Sequence, residues 1–179
     1  MRQLIKKYLS LFGITGLIIT LDQITKAIVR SNLSFTDMWS PWEWLAPYVR
    51  VVHWRNTGAA FGIFQSGGTI FAVLAVIVAG IIIFYYPQVP QEDKIARIAL
   101  AMQLGGALGN LIDRLTIGYV TDFLSFGDFP VFNIADMSIT CGVAVLLLGM
   151  WVNERKMHKK AKSEKQNTLP VEDKKTIES

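Results

Sequence analysis

Cys141 is the chain's one cysteine among 179 residues. That count excludes an internal disulfide and any cysteine-based metal cluster. It lies in an apolar run, where a packed thiol is expected rather than a nucleophile. Histidine is nearly as scarce, with only His53 and His158. His158 falls in a charged tail, and His53 sits in a strand-like segment with no evident serine partner, so Ser/His catalysis has no support. The same scarcity leaves no side chains at metal-ligand spacing, and neither a metal nor any other cofactor is expected. No internal repeat relates the first pair of apolar segments to the second, as the inverted halves of many transporters would require. Charge is absent over whole stretches. Residues 69–86 carry none, which is length enough to cross a bilayer.

What the chain has in excess is apolar surface. Hydrophobic residues make up 51% of it and the mean hydropathy is +0.35, which points to one membrane domain rather than a soluble globule. The formal charge of +4 does not indicate nucleic acid. Most Lys and Arg sit near the chain ends, beside apolar segments, where anionic lipid headgroups attract them. The fold expected is integral to the membrane and mainly α, with spans at residues 8–29, 69–86, 95–115 and 132–152. The first apolar run follows a short basic start and could be mistaken for a cleaved leader, but it is too long and lacks a small-residue cleavage pattern.

Between the first two spans, residues 31–67 change character. Trp39, Trp42, Trp44 and Trp54 cluster there, as suits the headgroup level, and residues 48–54 alternate β-branched and aromatic types like a strand. A small extracytoplasmic β-sheet on this first outer loop is expected. Residues 1–152 would then form one four-helix membrane domain, and residues 153–179 a charged, disordered cytoplasmic tail. Arg2, Lys6 and Lys7 precede the first span, Lys94 and Arg97 flank the middle loop, and Arg155 and Lys156 open the tail. The first outer loop holds Arg30, Arg50 and Arg55, and the loop at 116–131 holds no cation. Lys and Arg favour the cytoplasm, so both termini are expected inside and the Trp cluster outside.

The polar residues concentrate between Gly105 and Asp136. Ionisable groups bordering hydrocarbon default to a functional reading. Asp122 and Asp136 should lie at similar depth, because the loop between them returns to the same surface. Two carboxylates close together in a low-dielectric site cannot both ionise, and such a pair can act as base and acid toward a peptide bond. By spacing alone, two separate helix-end acids remain an equal alternative. Asn110 and Arg114 share one face of the third span, and Asn133 and Asp136 one face of the fourth. Each could orient a carboxylate. Asp113 points elsewhere, to a lysine or to the interface. Asp22 and Lys26 share a face of the first span, either as a helix-end ion pair with the lysine reaching the interface or as support for the site. Gly105, Gly106 and Gly109 suit close helix approach. Gly58 suits a tight loop, which leaves Asn56 unexplained. Two other classes compete: a proton relay in a transporter, and an assembly factor whose polar residues only join helices.

Five blocks in order resemble one family, the lipoprotein signal peptidases of bacteria (signal peptidase II). They are Asp22-Gln23-Ile24-Thr25-Lys26, Asn56-Thr57-Gly58-Ala59-Ala60-Phe61-Gly62, the run from Gly105 to Arg114, Thr121-Asp122-Phe123, and Phe132-Asn133-Ile134-Ala135-Asp136. The resemblance implies a multi-pass aspartic endopeptidase of the bacterial cytoplasmic membrane, with its site at the outer face. It makes Asp122 and Asp136 the catalytic pair. Asn56, Gly58, Asn110, Arg114 and Asn133 would line the site, supported by Asp22 and Lys26, with no metal. Substrates would be diacylglyceryl-modified prolipoproteins, met in contact with membrane lipid; globomycin would inhibit, and the enzyme would act as a monomer. Two positions depart from the family pattern. Met137 stands where serine is usual, and Thr121 where an apolar residue is usual.

Overall fold

The computed structural model describes residues 2–58 and 67–168. Four long helices carry the chain: α1 (Arg2–Asn32), α2 (Gly68–Tyr85), α3 (Lys94–Thr116) and α4 (Ile134–Thr168). Each contains a stretch long and apolar enough to cross a membrane, Tyr8–Asn32, Gly68–Gln88, Lys94–Thr116 and Ile134–His158. Three strands form one antiparallel sheet in the order β1-β2-β3, with β1 Met38–Trp39, β2 Val49–Asn56 and β3 Val120–Phe126. The architecture is the expected one, four apolar helices with a small sheet. The sheet is not confined to the first outer loop, however, because β3 comes from the loop between α3 and α4. The alternation of β3 is obscured by polar residues at buried positions: Thr121, Asp122 and Ser125 are each 2% exposed or less.

α3 is the central helix. Eleven of its 23 residues are buried, against two of 18 in α2, and it packs on α1, α2 and α4. Its glycines make this possible. A Cβ on Gly106 would collide with the carbonyl oxygen of Ala135 on α4, so the two backbones touch directly. The outward faces of α1, α2 and α4 expose large apolar side chains such as Leu17, Ile77 and Leu147, as hydrocarbon rather than water demands. An apolar cluster of Leu11, Ala79, Ile82, Tyr86, Ala101 and Leu104 fills the half of the bundle remote from the sheet. The half nearer the sheet is polar.

Two expectations from the sequence are revised. Residues 153–168 are helical, the continuation of α4 to Thr168. This stretch contains no proline or glycine and is rich in Lys, Glu and other strong helix formers, and Glu154 and His158 pair across one turn at 3.8 Å. Cys141 is exposed rather than packed, because its face of α4 borders a cavity. Residues 59–62, the end of the second motif block, lie outside the described residues.

Candidate active site

The floor of the site is built from α1. Asp22 and Lys26, one turn apart, are both 0% exposed, with Lys26 Nζ 2.8 Å from Asp22 Oδ2. The lysine therefore does not reach an interface. Its other partners are Asp113 Oδ2 at 3.2 Å and Asn110 Oδ1 at 2.9 Å, so its three N–H donors meet three acceptors. Asp113 thus pairs with a lysine. It also accepts the backbone N–H of Thr121 at 3.0 Å and lies 3.5 Å from Arg30 Nη1. Arg30 donates in turn to the Thr121 hydroxyl at 3.0 Å. Thr121 is thus bonded to α1 through its hydroxyl and to α3 through its backbone N–H, which holds the start of β3 in place. Asp22 Oδ1 accepts the backbone N–H of Ala135 at 3.0 Å, which ties α1 to the first turn of α4.

Above this floor, amides aim two carboxylates. Asn133 precedes α4 and forms a reciprocal cap with Asp136. The Asn133 side-chain oxygen accepts the Asp136 N–H at 3.0 Å, and Asp136 Oδ2 accepts the Asn133 N–H at 3.2 Å. The Asn133 amide nitrogen donates to Asp122 Oδ1 at 2.7 Å and to Asn110 Oδ1 at 3.1 Å. Asn110 donates to Asp136 Oδ1 at 2.7 Å. The ammonium of Lys26 is donor-only, so it fixes which end of the Asn110 amide faces Asp136. On β2, Asn56 donates to Asp122 Oδ2 at 2.9 Å, and its own oxygen accepts the Gly58 N–H at 2.9 Å. All four carboxylate oxygens accept from amide N–H groups, and Asn133 bonds to both acids.

Asp122, Asp136, Asn56, Gly58 and Arg114 line one cavity of about 480 Å³. Its remaining wall is largely apolar and includes Phe71, Phe129, Met137 and Ile139. Asn110 and Asn133, 7% and 0% exposed, stand behind the carboxylates. Burial pushes the Asp122 carboxyl up to about 7, with the Asp136 charge adding to the rise against the opposing bonds from Asn56 and Asn133. Arg114 touches neither carboxylate by hydrogen bond among the described residues. Its guanidinium reaches Gly58 O and Asn110 O, each at 3.4 Å, and faces the Phe71 ring at 5.5 Å. It holds the chain after β2 and places a positive charge beside the cavity. Among the described residues there is no group of acids, histidines and cysteines arranged to hold a metal ion.

Residues 14–152 match the family model described as Signal peptidase (SPase) II. The chain belongs to the signal peptidase II family. Curated relatives include the lipoprotein signal peptidase of Moorella thermoacetica, 40% identical over 130 residues, which cover 73% of this chain and 85% of the relative. That of Shouchella clausii is 40% identical over 144 residues, covering 78% and 91%. A bacterial membrane enzyme solved by the in meso method at 2.3 Å is similar with a TM-score of 0.74 and 29% identity, over 80% of this chain and 88% of its own. Family membership makes this chain a peptidase. With its four apolar helices it is a multi-pass bacterial membrane protein.

Among the described residues, the motif side chains of this signal peptidase II meet in this one region. Arg30 and Gln23 join the site with no place expected for them from the sequence, whereas Asp113 takes the lysine expected of it. Gln23 donates to Asp22, to Gly109 O and to Asp113 at 3.1 to 3.2 Å. A signal was available for Arg30, which continues the Asp22–Lys26 face by one more turn. Packing is also tight at Gly109, where a Cβ would sit 2.7 Å from Asp22 Oδ2 and 3.3 Å from Ala135 Cβ. Gly109→Ala is expected to push Asp22 off Ala135 and Lys26, with a loss of about 1–3 kcal/mol from overpacking. Thermal unfolding in detergent checks this; an unchanged midpoint would show that the α1–α4 contact has slack.

Proposed function

We propose that this protein is an intramembrane aspartic endopeptidase that removes the signal peptide from diacylglyceryl-modified prolipoproteins. The observation that carries the reading is that Asp122 and Asp136 open on one cavity, each aimed by amide donors and both bonded to Asn133. In the reaction, one proton is shared by the pair. The charged member takes a proton from water as the water oxygen attacks the scissile carbonyl carbon. The protonated member hydrogen-bonds the carbonyl oxygen as it gains charge, and a proton then passes to the leaving amine nitrogen as the C–N bond breaks. No covalent enzyme intermediate is formed.

The mixed lining of the cavity suits a substrate that is part peptide and part lipid. Asn56 and Gly58 offer polar contacts on one side, and Phe71, Phe129 and Ile139 an apolar wall on the other. The acyl chains need not leave hydrocarbon while the peptide bond meets the acids. Orientation follows from the basic residues at the chain ends: the termini in the cytoplasm, and the sheet and carboxylates at the outer face. Residues 1–152 form the peptidase, which acts as a monomer, and the helical extension beyond them has no part in hydrolysis. Globomycin-type cyclic peptides are expected to compete for the same cavity.

The test is cleavage of matched peptides, with and without diacylglyceryl on the cysteine after the scissile bond, by purified protein. The lipidated peptide should be cut just before the modified cysteine and the unmodified one hardly at all. Equal turnover of both would remove the lipid from the specificity.

A further inference from the structure

At the end of the bundle remote from the aspartates, a second cavity of about 390 Å³ lies between the start of α1, the turn after α2 and the start of α3. Its walls divide by chemistry. Lys94 and Arg97, on the first turn of α3, supply two cations, and Ser10, Tyr86 and Gln91 supply neutral polar groups. Ile14 and Ile98 form an apolar flank. Arg97 is only 7% exposed. Its guanidinium lies 4.2 Å from the centroid of the Tyr86 ring, and Nη1 donates to Val89 O at 3.2 Å. The Tyr86 hydroxyl is 3.0 Å from Ser10 Oγ, and its ring stacks on Tyr8. The buried cation is therefore held in one place, while Lys94 is exposed at the rim. Glu92 and Asp93 precede them, but neither lines the cavity, and Asp93 accepts the Ala96 N–H at 3.0 Å as the cap of α3.

Peptide hydrolysis makes no use of this place, which is a helix length away from the carboxylates. It sits where one membrane span ends at Gln88 and the next begins at Lys94, at the depth of lipid headgroups. Two cations on the α3 side and two isoleucines on the bundle side suit an occupant that is anionic at one end and apolar at the other. We propose that this cavity binds the phosphodiester of an anionic phospholipid, held by Lys94 and Arg97, with the first acyl carbons against Ile14 and Ile98. Free phosphate shares the head chemistry but leaves the apolar flank unused.

Native mass spectrometry of the full-length protein, incubated in detergent with phosphatidylglycerol or with phosphatidylcholine, tests this. The wild type should retain phosphatidylglycerol in preference. Lys94→Gln should retain it on the order of fivefold less, the worth of one lysine near a lipid surface, while Lys94→Arg should retain it as the wild type does. Lys94 is exposed, so its variants report binding even if Arg97→Gln fails to fold; a thermal melt confirms that they fold. Equal retention of the two lipids, or undiminished phosphatidylglycerol on folded Lys94→Gln, overturns the proposal. Displacement of phosphatidylglycerol by an equal concentration of inorganic phosphate overturns the lipid assignment and leaves an anion site.

Discussion

Asp122→Asn and Asp136→Asn are each expected to lower the turnover of a lipidated peptide by about 10³-fold or more, from the 10²–10⁴-fold that positioned acid–base groups typically supply and the non-additivity of groups acting as a unit. The substitutions are nearly isosteric, so the loss should not come from unfolding. Asp122 accepts from two side-chain amides, Asn56 and Asn133. Asparagine at this position would turn one donor toward another and lose a hydrogen bond, while relieving the cost of a buried charge. These effects oppose each other, and the melting temperature should move by only a few degrees. Activity and stability therefore separate in these variants. A variant that keeps a tenth of wild-type turnover would take its carboxylate out of the chemistry and favour a role in joining helices.

Lys26→Met is expected to damage both. Lys26 is fully buried between Asp22 and Asp113, and breaking a buried ionic group by removing one partner typically costs about 3–5 kcal/mol. It would leave two buried carboxylates facing Arg30, which is 3.5 Å from only one of them. Asn110 would lose the contact that sets its amide, and with it the aim of Asp136. Lys26→Arg should not rescue the protein, because a planar guanidinium has no room in a site with no exposed surface. Adding Asp22→Asn to Lys26→Met should recover part of the stability by removing one unpaired charge, and little of the turnover. Thermal melts and turnover of the three variants read this out. A single Lys26→Met variant as stable as the wild type would show that the cluster is solvated rather than sealed.

The helices were legible because hydrocarbon imposes a simple rule: long uncharged runs must be helical where no water can satisfy the backbone. The polar constellation was legible for the complementary reason, since acids, amides and a lysine are costly there and stand out. β3 was not, because burial of Thr121, Asp122 and Ser125 hides the alternation on which strand recognition depends. The turn of α3 that Arg114 shares with Asn110 suggests a carboxylate partner, whereas its bonds go to backbone carbonyls. Spacing places a side chain on a helix face but does not say where a long one ends. The shared role of Asn133 was only half visible: its cap of α4 is local, but its bond to Asp122 depends on where β3 runs.

The dependence of kcat/KM on pH, measured on a lipidated peptide from about pH 4 to pH 9, tests most directly whether the acids work as one unit. With Asp122 pushed up to about 7, the active pair holds one proton below that pH and loses its acid above it. The rate should therefore fall as pH rises through about 7, and fall again at low pH as the second carboxylate is protonated. A rate that is level or rising across pH 7 would contradict the shared proton on which the mechanism depends.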